Sequence, residues 1–102
     1  MSDTSLIGSA ILGETKVLIY RDKYRMPPFN LAIAANVDEE YQEPFATISV
    51  NLGNAIEENE FVVSHNVQHF DADLMATGFF EDTGKRVDYG FVRQRPIWRL
   101  KV

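Results

Sequence analysis

Residues 44–52 have the sequence PFATISVNL, and this stretch decides the fold class because apolar and polar side chains alternate along it. In an extended chain, successive side chains point to opposite sides, so the alternation separates an apolar face from a polar face. The two faces comprise Ala46, Ile48, Val50 and Leu52 on one side, and Thr47, Ser49 and Asn51 on the other. The pattern predicts a half-buried strand of an antiparallel sheet.

Two more strands are predicted upstream, at Thr15–Arg21 and Asn30–Val37, where β-branched, aromatic and aliphatic residues are concentrated. Residues 26–28 (MPP) separate them, because proline lacks the backbone donor that a strand ladder needs. The segment Asp38–Glu43 is charged and polar, which is typical of a turn. We therefore expect a hairpin between the second of these strands and the strand at 44–52, with the charged turn at its tip.

The hydrophobic period changes in the second half of the chain. A loop is expected at 53–59 and a short strand at Glu60–Ser64, followed by a helix whose apolar side chains recur every three or four residues. Asn66 is the predicted N-cap, and Gly78 is the glycine that ends the helix. Val87–Val102 predicts a bent terminal strand. The apolar face of the helix consists of Val67, Phe70, Leu74, Met75 and Phe79.

These elements predict an α+β domain, with an antiparallel sheet of four to five strands and one helix packed on one face. The 102 residues fit a single domain, in which residues 1–13 are either flexible or a short edge strand. The chain has no cysteine, which excludes disulfides and is typical of a reducing cytoplasm. We expect neither a signal peptide nor a membrane span, because no basic leader and no run of about 20 apolar residues occurs.

Charge is distributed very unevenly along the chain. Between Met26 and Gly84, 59 consecutive residues (the central acidic stretch) include eleven carboxylates and no lysine or arginine, whereas residues 85–102 include six cations and one carboxylate. A strongly negative surface would steer association with basic partners, and it disfavours direct binding to nucleic acid. The eleven carboxylates are Asp38, Glu39, Glu40, Glu43, Glu57, Glu58, Glu60, Asp71, Asp73, Glu81 and Asp82.

The candidate catalytic and metal-binding residues are few. His65 and His69 are four residues apart, a spacing that puts two imidazoles on one face of an α-helix and can hold zinc. No third ligand accompanies them in the sequence, and Asn66 stands where a metalloprotease would carry its catalytic glutamate. Carboxylate pairs such as Glu57 and Glu58 are expected in solvated turns, which do not raise a pKa for acid catalysis. We predict no catalytic residue, no metal and no cofactor, and we expect the chain not to be an enzyme.

The basic C-terminal segment combines arginine with aromatic residues and allows two interpretations. One is a surface on which single-stranded nucleic acid stacks. The other is a charged edge strand that resists aggregation, with Trp98 in the core. The second is favoured, because the six cations are few beside the fifteen carboxylates of the chain. The residues concerned are Arg93, Arg95, Trp98, Arg99 and Lys101.

Five short motifs follow one another along the chain. They are NLAI at 30–33, EPFATISVNL at 43–52, GF at 78–79, TGKR at 83–86 and YGFV at 89–92. With these motifs the chain resembles a family of small uncharacterised domains of bacteria, plasmids and phages, whose corresponding strand has the sequence EPYATLTVNL. The chain departs from that family at 63–66 (VSHN), where relatives are closer to DTNN. The resemblance implies an origin in a mobile genetic element and no enzymatic activity, and it supplies no catalytic residues.

The charge distribution and the resemblance lead to one functional hypothesis. The chain is expected to be a non-enzymatic acidic domain of the bacterial cytoplasm that inhibits a host defence protein by occupying its basic surface. By analogy, the target would be a nuclease or a CRISPR effector, with carboxylates standing in for phosphates. The predicted partner-binding residues are Asp38, Glu39, Glu40, Glu43, Glu57, Glu58 and Glu60.

Two other hypotheses stay open at this point. In one, the chain is a self-associating assembly module of a phage or plasmid, a homodimer in which the positive C-terminal strand of one protomer meets the negative face of the other. In the other, which is less favoured, the chain is a metal-dependent enzyme that uses His65, His69 and Asp73.

Overall fold

The two strands that flank the charged turn pair as predicted, and they belong to a larger arrangement in which the described residues form eight strands and two short helices. The computed structural model describes residues 4–27, 29–52 and 57–101. Residues 53–56 of the predicted loop lie outside the described residues. The elements are β1 (Ser5–Leu12), β2 (Thr15–Lys23), β3 (Leu31–Val37), β4 (Pro44–Thr47), β5 (Ser49–Val50), β6 (Glu60–Val63), a 3₁₀ helix (His65–Phe70), α1 (Asp71–Ala76), β7 (Phe80–Tyr89) and β8 (Val92–Leu100).

The strands form two four-stranded antiparallel sheets, with the orders β1-β2-β3-β4 and β5-β6-β8-β7. The α+β class is confirmed, although the sequence predicts only four to five strands in one sheet. Part of the difference lies in β1, an edge strand within the 1–13 segment. The rest of the difference lies in β7 and β8, which form a hairpin where the sequence predicts one bent strand at Val87–Val102. Gly90 makes its turn possible, because its φ of +55° favours a residue without a side chain.

The strand predicted at 44–52 passes from the first sheet into the second at Ile48, which lies between β4 and β5 and is fully buried. The N–H of Ile48 donates to the carbonyl of Ile33 (2.8 Å), and its own carbonyl accepts the N–H of Ser64 (2.7 Å). Ser49 is buried too, and its Oγ accepts the N–H of Ile33 at 2.9 Å. The predicted polar face therefore does not reach solvent at Ser49, because the chain is covered on both sides where it crosses between the sheets.

The core lies between the inner faces of the two sheets. Phe80 and Trp98 of the second sheet stack with ring centroids 5.7 Å apart, and Phe61 meets both edge-on. Burial of these large rings supplies much of the hydrophobic stabilisation. The first sheet contributes smaller aliphatic side chains to the same cluster, namely Ala10, Leu12, Val17, Ile19, Ile33 and Ala35.

The predicted helix is divided into the 3₁₀ helix and α1. Its N-cap is Ser64 and not Asn66: the Oγ of Ser64 accepts the N–H of Asn66 at 3.2 Å. Val67 and Leu74 are buried, as the apolar periodicity predicts. Gly78 follows the helix with a φ of +78°, which confirms the predicted end. In the described part of the chain, neither helix has the length and apolarity needed to cross a membrane.

α1 contacts both β1 and β7, the outer strands of the two sheets. The carboxylate of Asp73 accepts the N–H of Gly13 at 2.8 Å, which ties the helix to the turn after β1. Just beyond the helix, the ring of Phe79 packs on Gly8 so closely that a Cβ at Gly8 would lie 2.5 Å from it. The helix thus lies beside the edge strand β1, an arrangement that protects a sheet edge from pairing with other chains.

Arg95 anchors the helical segment to the second sheet. Its guanidinium donates to both carboxylate oxygens of Asp71 (3.0 and 3.1 Å) and to the carbonyls of Val63 (3.1 Å) and Ser64 (3.2 Å). The side chain is only 9% exposed. A buried guanidinium is tolerated when its donors are satisfied, and these four bonds join β8, β6 and α1.

We expect Arg95→Lys to lower the free energy of unfolding by roughly 2 kcal/mol, because one ammonium cannot reproduce the planar set of bonds to Asp71 and two carbonyls. Chemical denaturation followed by the fluorescence of Trp98 measures the loss. Arg93→Lys, on the exposed part of the same strand, is the matched control and should change the free energy by less than about 0.5 kcal/mol. Equal effects of the two substitutions would contradict the anchoring role.

Candidate functional site

The seven carboxylates predicted to bind a partner lie in three different surroundings. Asp38, Glu39, Glu40 and Glu43 belong to the turn between β3 and β4, which we call the acidic tip (residues 38–43). The other three follow the crossing strand, at Glu57, Glu58 and Glu60. Of these, Glu57 and Glu58 are exposed, whereas Glu60 is buried.

The two exposed groups lie at opposite ends of β2. The N–H of Asp38 donates to the carbonyl of Lys16 at 3.0 Å, near the start of the strand. The loop that carries Glu57 and Glu58 is tied to the other end, where Arg21 Nη2 donates to Asn59 Oδ1 at 3.4 Å. The five-residue step from Lys16 to Arg21 spans about 17 Å of extended strand. Tyr20, whose hydroxyl donates to the tip residue Gln42, points to the opposite side of the sheet from its neighbour Arg21. The predicted carboxylates therefore do not form one acidic face.

Glu60 does not belong with the other predicted partner-binding carboxylates, because its side chain is fully buried and cannot face a partner. Its Oε1 accepts from Lys85 Nζ at 2.7 Å and from the N–H of Glu57 at 3.1 Å, and its Oε2 accepts from Arg99 Nη2 at 3.2 Å. Burial alone would raise the pKa of Glu60, but these donors outweigh it and hold the pKa below its ordinary value of 4.5. Both carboxylate oxygens are therefore already engaged within the fold.

The basic residues of the C-terminal segment are largely paired with the central acidic stretch. The Arg86 guanidinium lowers the pKa of Asp82, and Asp82 in turn raises the pKa of Arg86. Charges that are segregated along the sequence thus neutralise one another in space. The ion pairs, with N···O distances from 2.7 to 3.2 Å, are Lys85–Glu60, Arg86–Asp82, Arg95–Asp71, Arg99–Glu60 and Arg99–Glu81.

The same pairs engage four of the six cations on which the nucleic-acid interpretation of the C-terminal segment depends, namely Lys85, Arg86, Arg95 and Arg99. Trp98 is 2% exposed in the core, so its ring cannot stack on a base. Arg95 is buried against Asp71, and Arg99 is shared between two carboxylates. Trp98 lies in the core, as the second interpretation predicts, but the edge position that it predicts is wrong, because β8 lies between β6 and β7 in the second sheet.

The two histidines do not share a helix face. His65 and His69 lie in the 3₁₀ helix, in which three residues make a turn, so side chains four residues apart diverge by about 120°. The third residue of the metal hypothesis, Asp73, accepts the N–H of Gly13. Among the residues that the structure describes, no group of three or more histidine, aspartate or glutamate side chains is placed to hold a metal ion.

The acidic tip is the part of the predicted site that remains exposed. Its aromatic residue, Tyr41, is 79% exposed. Asp38 is paired with Lys16 at 3.5 Å, whereas the three glutamates of the tip have no ion pair or side-chain hydrogen bond with any other described residue. Within the tip, the exposed residues are Glu39, Glu40, Tyr41, Gln42 and Glu43, and the run of exposed residues continues to Pro44.

Hydrogen bonds hold the acidic tip in a defined conformation. The N–H of Val37 donates to the carbonyl of Glu43 at 2.8 Å, and the N–H of Glu39 donates to the carbonyl of Val37 at 3.0 Å. From the neighbouring strand, the hydroxyl of Tyr20 donates to Gln42 Oε1 at 2.8 Å. A tip that is ordered before binding loses less conformational entropy when a partner covers it.

Tyr41 is the candidate binding residue that the sequence prediction omits. A signal for it is present, because it is the one aromatic residue in a turn otherwise made of charged and polar side chains. Aromatic residues at exposed turns are frequent centres of protein interfaces.

Comparison with known proteins adds no relative: no protein-family model, no curated protein and no solved structure matches this chain. The resemblance to the small domains of plasmids and phages therefore stays a prediction.

We expect Glu60→Gln to lower the free energy of unfolding by roughly 2 kcal/mol near neutral pH, because it removes the charge from the bonds to Lys85 and Arg99. The folded pKa of Glu60 lies below its unfolded value. The stabilisation is therefore complete above the unfolded pKa and is lost as the pH falls through the folded pKa. Denaturation of wild type and variant at a series of pH values should show their difference shrinking with acidification.

Glu58→Gln is the control for this series, because it removes a carboxylate from an exposed position of the adjacent loop. It should alter the free energy of unfolding by less than about 0.5 kcal/mol at every pH. A difference between wild type and Glu60→Gln that did not vary with pH would contradict the assignment of the buried charge.

Proposed function

We propose that this chain is a non-enzymatic protein-binding domain of the bacterial cytoplasm that docks the acidic tip on a basic surface of a nucleic-acid-handling protein. The observation that carries the proposal is the 79% exposure of Tyr41 among three glutamates that have no partner in the described chain. Exposed carboxylates alone serve solubility. A large aromatic ring held at the centre of such a tip gives a partner an apolar contact to bury.

The two kinds of side chain contribute to different steps of binding. The glutamates attract a basic partner over a long range, which raises the association rate and makes it sensitive to salt. Tyr41 acts at short range, where burial of its ring in a pocket of the partner slows dissociation. Because the tip is already ordered by the bond between Tyr20 and Gln42, both contributions are available without a large rearrangement.

A protein that binds nucleic acid presents the complementary surface, because lysine and arginine side chains line the groove in which phosphates bind. The carboxylates of the acidic tip would occupy such positions and compete with DNA or RNA. The resemblance to domains of plasmids and phages supports a host defence protein, a nuclease or a CRISPR effector, as the target.

The two alternative hypotheses have less support from the geometry. Charge-driven self-association requires available cations in the C-terminal segment, and Lys85, Arg86, Arg95 and Arg99 are paired within the chain. The metal-dependent enzyme requires two histidines on one face, and the 3₁₀ helix separates them.

We expect the combined charge reversal Glu39→Lys, Glu40→Lys and Glu43→Lys to abolish inhibition of DNA cleavage by an effector that the wild type inhibits. Attraction is replaced by repulsion, so the association rate at low salt should fall at least about tenfold. Cleavage assays with purified CRISPR effectors and nucleases measure inhibition. Surface plasmon resonance at low and at about 0.5 M salt measures the association rate, which for wild type should also fall as salt screens the charges.

The matched control is the pair Glu57→Lys and Glu58→Lys, which reverses two exposed carboxylates at the opposite end of β2. It should leave inhibition nearly unchanged. Equal losses in both variants would mean that net charge alone acts, and full binding by the tip variant would overturn the proposal. Failure of the wild type to inhibit any tested effector or nuclease would overturn the choice of target.

Tyr41→Ala is expected to raise the dissociation rate from the same partner about tenfold or more, because the ring loses its buried contacts. The association rate and its salt dependence should change little, since no charge is altered. Tyr41→Phe keeps the ring and should stay close to wild type. An alanine variant with an unchanged dissociation rate would show that Tyr41 is not part of the interface.

A further inference from the structure

A cleft of about 390 Å³ opens at the end of β2 that lies away from α1. α1 is tied to Gly13, just before β2 begins, whereas the cleft is lined by Arg21 and Lys23, where β2 ends. The volume falls within the range of small-molecule sites. The cleft is also separate from the acidic tip, which is bonded to Lys16 at the other end of the strand.

One wall of the cleft is the inner face of β2 as the strand leaves the core. Val17 and Ile19 on this face are fully buried, and the next two residues with the same orientation are Arg21 and Lys23. Lys23 is paired across the sheet with Leu31, which also lines the cleft. This wall therefore changes from apolar at Ile19 to cationic at Lys23, and Leu31 adds an aliphatic surface beside Lys23.

The opposite wall carries negative charge. Glu57 and Glu58 line the cleft and are exposed. Among the described residues, neither glutamate forms an ion pair with Arg21 or Lys23, and the side chain of Arg21 makes only a long hydrogen bond to Asn59 (3.4 Å). Asp22 also lines the cleft, between the two cations in the strand, and its carboxylate already accepts from Thr4 Oγ1 (2.6 Å) and from the N–H of Lys23 (2.7 Å). Across the cleft, Arg21 and Lys23 therefore face Glu57 and Glu58 without an ion pair between the two walls in the described structure.

Two residues at the cleft have an unusual backbone conformation. Phe29 and Asn59 both have positive φ angles, +61° and +70°, and both line the cleft. For a bulky residue such as phenylalanine this conformation costs free energy, and it is concentrated at binding sites in proteins. Phe29 is 49% exposed, so an apolar surface is available beside the charged side chains.

We propose that this cleft binds a small zwitterion, an α-amino acid with an aromatic or aliphatic side chain. The carboxylate of the ligand would be held by Arg21 and Lys23, and its ammonium group would face Glu57 and Glu58. Its side chain would lie against the ring of Phe29. A ligand with both charges matches the two walls together, whereas a ligand with one charge meets one wall that repels it. The proposal does not depend on the function of the acidic tip.

The test uses the full chain and isothermal titration calorimetry with L-phenylalanine and L-leucine, up to about 10 mM because small ligands bind weakly. At least one of the two should bind. The comparison ligands are 3-phenylpropionate, which lacks the ammonium group, and phenethylamine, which lacks the carboxylate. Both should bind at least about tenfold more weakly, because each lacks one charged group and therefore leaves the charged side chains of one wall without a partner.

Arg21→Met should weaken the binding of the amino acid at least about tenfold, since the carboxylate loses its guanidinium partner. Arg93→Met removes an exposed cation from the distant β7–β8 hairpin and is the matched control, with binding expected unchanged. The charge-reversed tip variant should also bind the amino acid normally, which separates this proposal from the proposed function. Absence of binding by both amino acids, or equal binding of phenethylamine and L-phenylalanine, would overturn the proposal.

Discussion

The fold depends on the passage of one strand between two sheets at Ile48. Through its N–H this residue is bonded to Ile33 of the first sheet, and through its carbonyl to Ser64 at the end of β6 in the second. Ile48 is thus hydrogen-bonded to both sheets at once, and this holds the two sheets face to face. The aromatic cluster and the aliphatic side chains are enclosed between them. Buried backbone groups need partners, and at this crossing Ser49 supplies one for Ile33 with its hydroxyl.

The second constraint is electrostatic. The central acidic stretch and the basic C-terminal segment are separate in sequence, but β6, β7 and β8 bring them together as neighbouring strands. Arg99 lies opposite both Glu60 and Glu81 in the sheet, and Arg95 reaches α1. Much of the charge asymmetry of this chain therefore stabilises the second sheet. The carboxylates of this stretch that are exposed and have no ion pair in the described chain lie in the acidic tip, at Glu39, Glu40 and Glu43, and in the loop before β6, at Glu57 and Glu58.

The scaffold presents two different surfaces at the two ends of β2. Near Lys16 the acidic tip is ordered and exposed, with an aromatic residue at its centre. Near Lys23 the strand leaves the core and opposes a loop of carboxylates across a cleft. A rigid strand of antiparallel sheet keeps these surfaces apart, so either can change without disturbing the other. Between them, the buried polar side chains of the described residues all have hydrogen-bond partners within the fold.

The sequence by itself determined the features that depend on neighbouring residues. Alternation predicted the crossing strand and the hairpin with its charged tip, three-to-four periodicity predicted the burial of Val67 and Leu74, and Gly78 marked the helix end. Only the tertiary structure decided that Ser49 and Glu60 are buried, because their coverage and partners come from distant segments; Lys85 and Arg99 lie 25 and 39 residues beyond Glu60. It also decided that the seven predicted carboxylates do not converge. Side-chain period is a local property, whereas burial and charge pairing depend on which strands become neighbours.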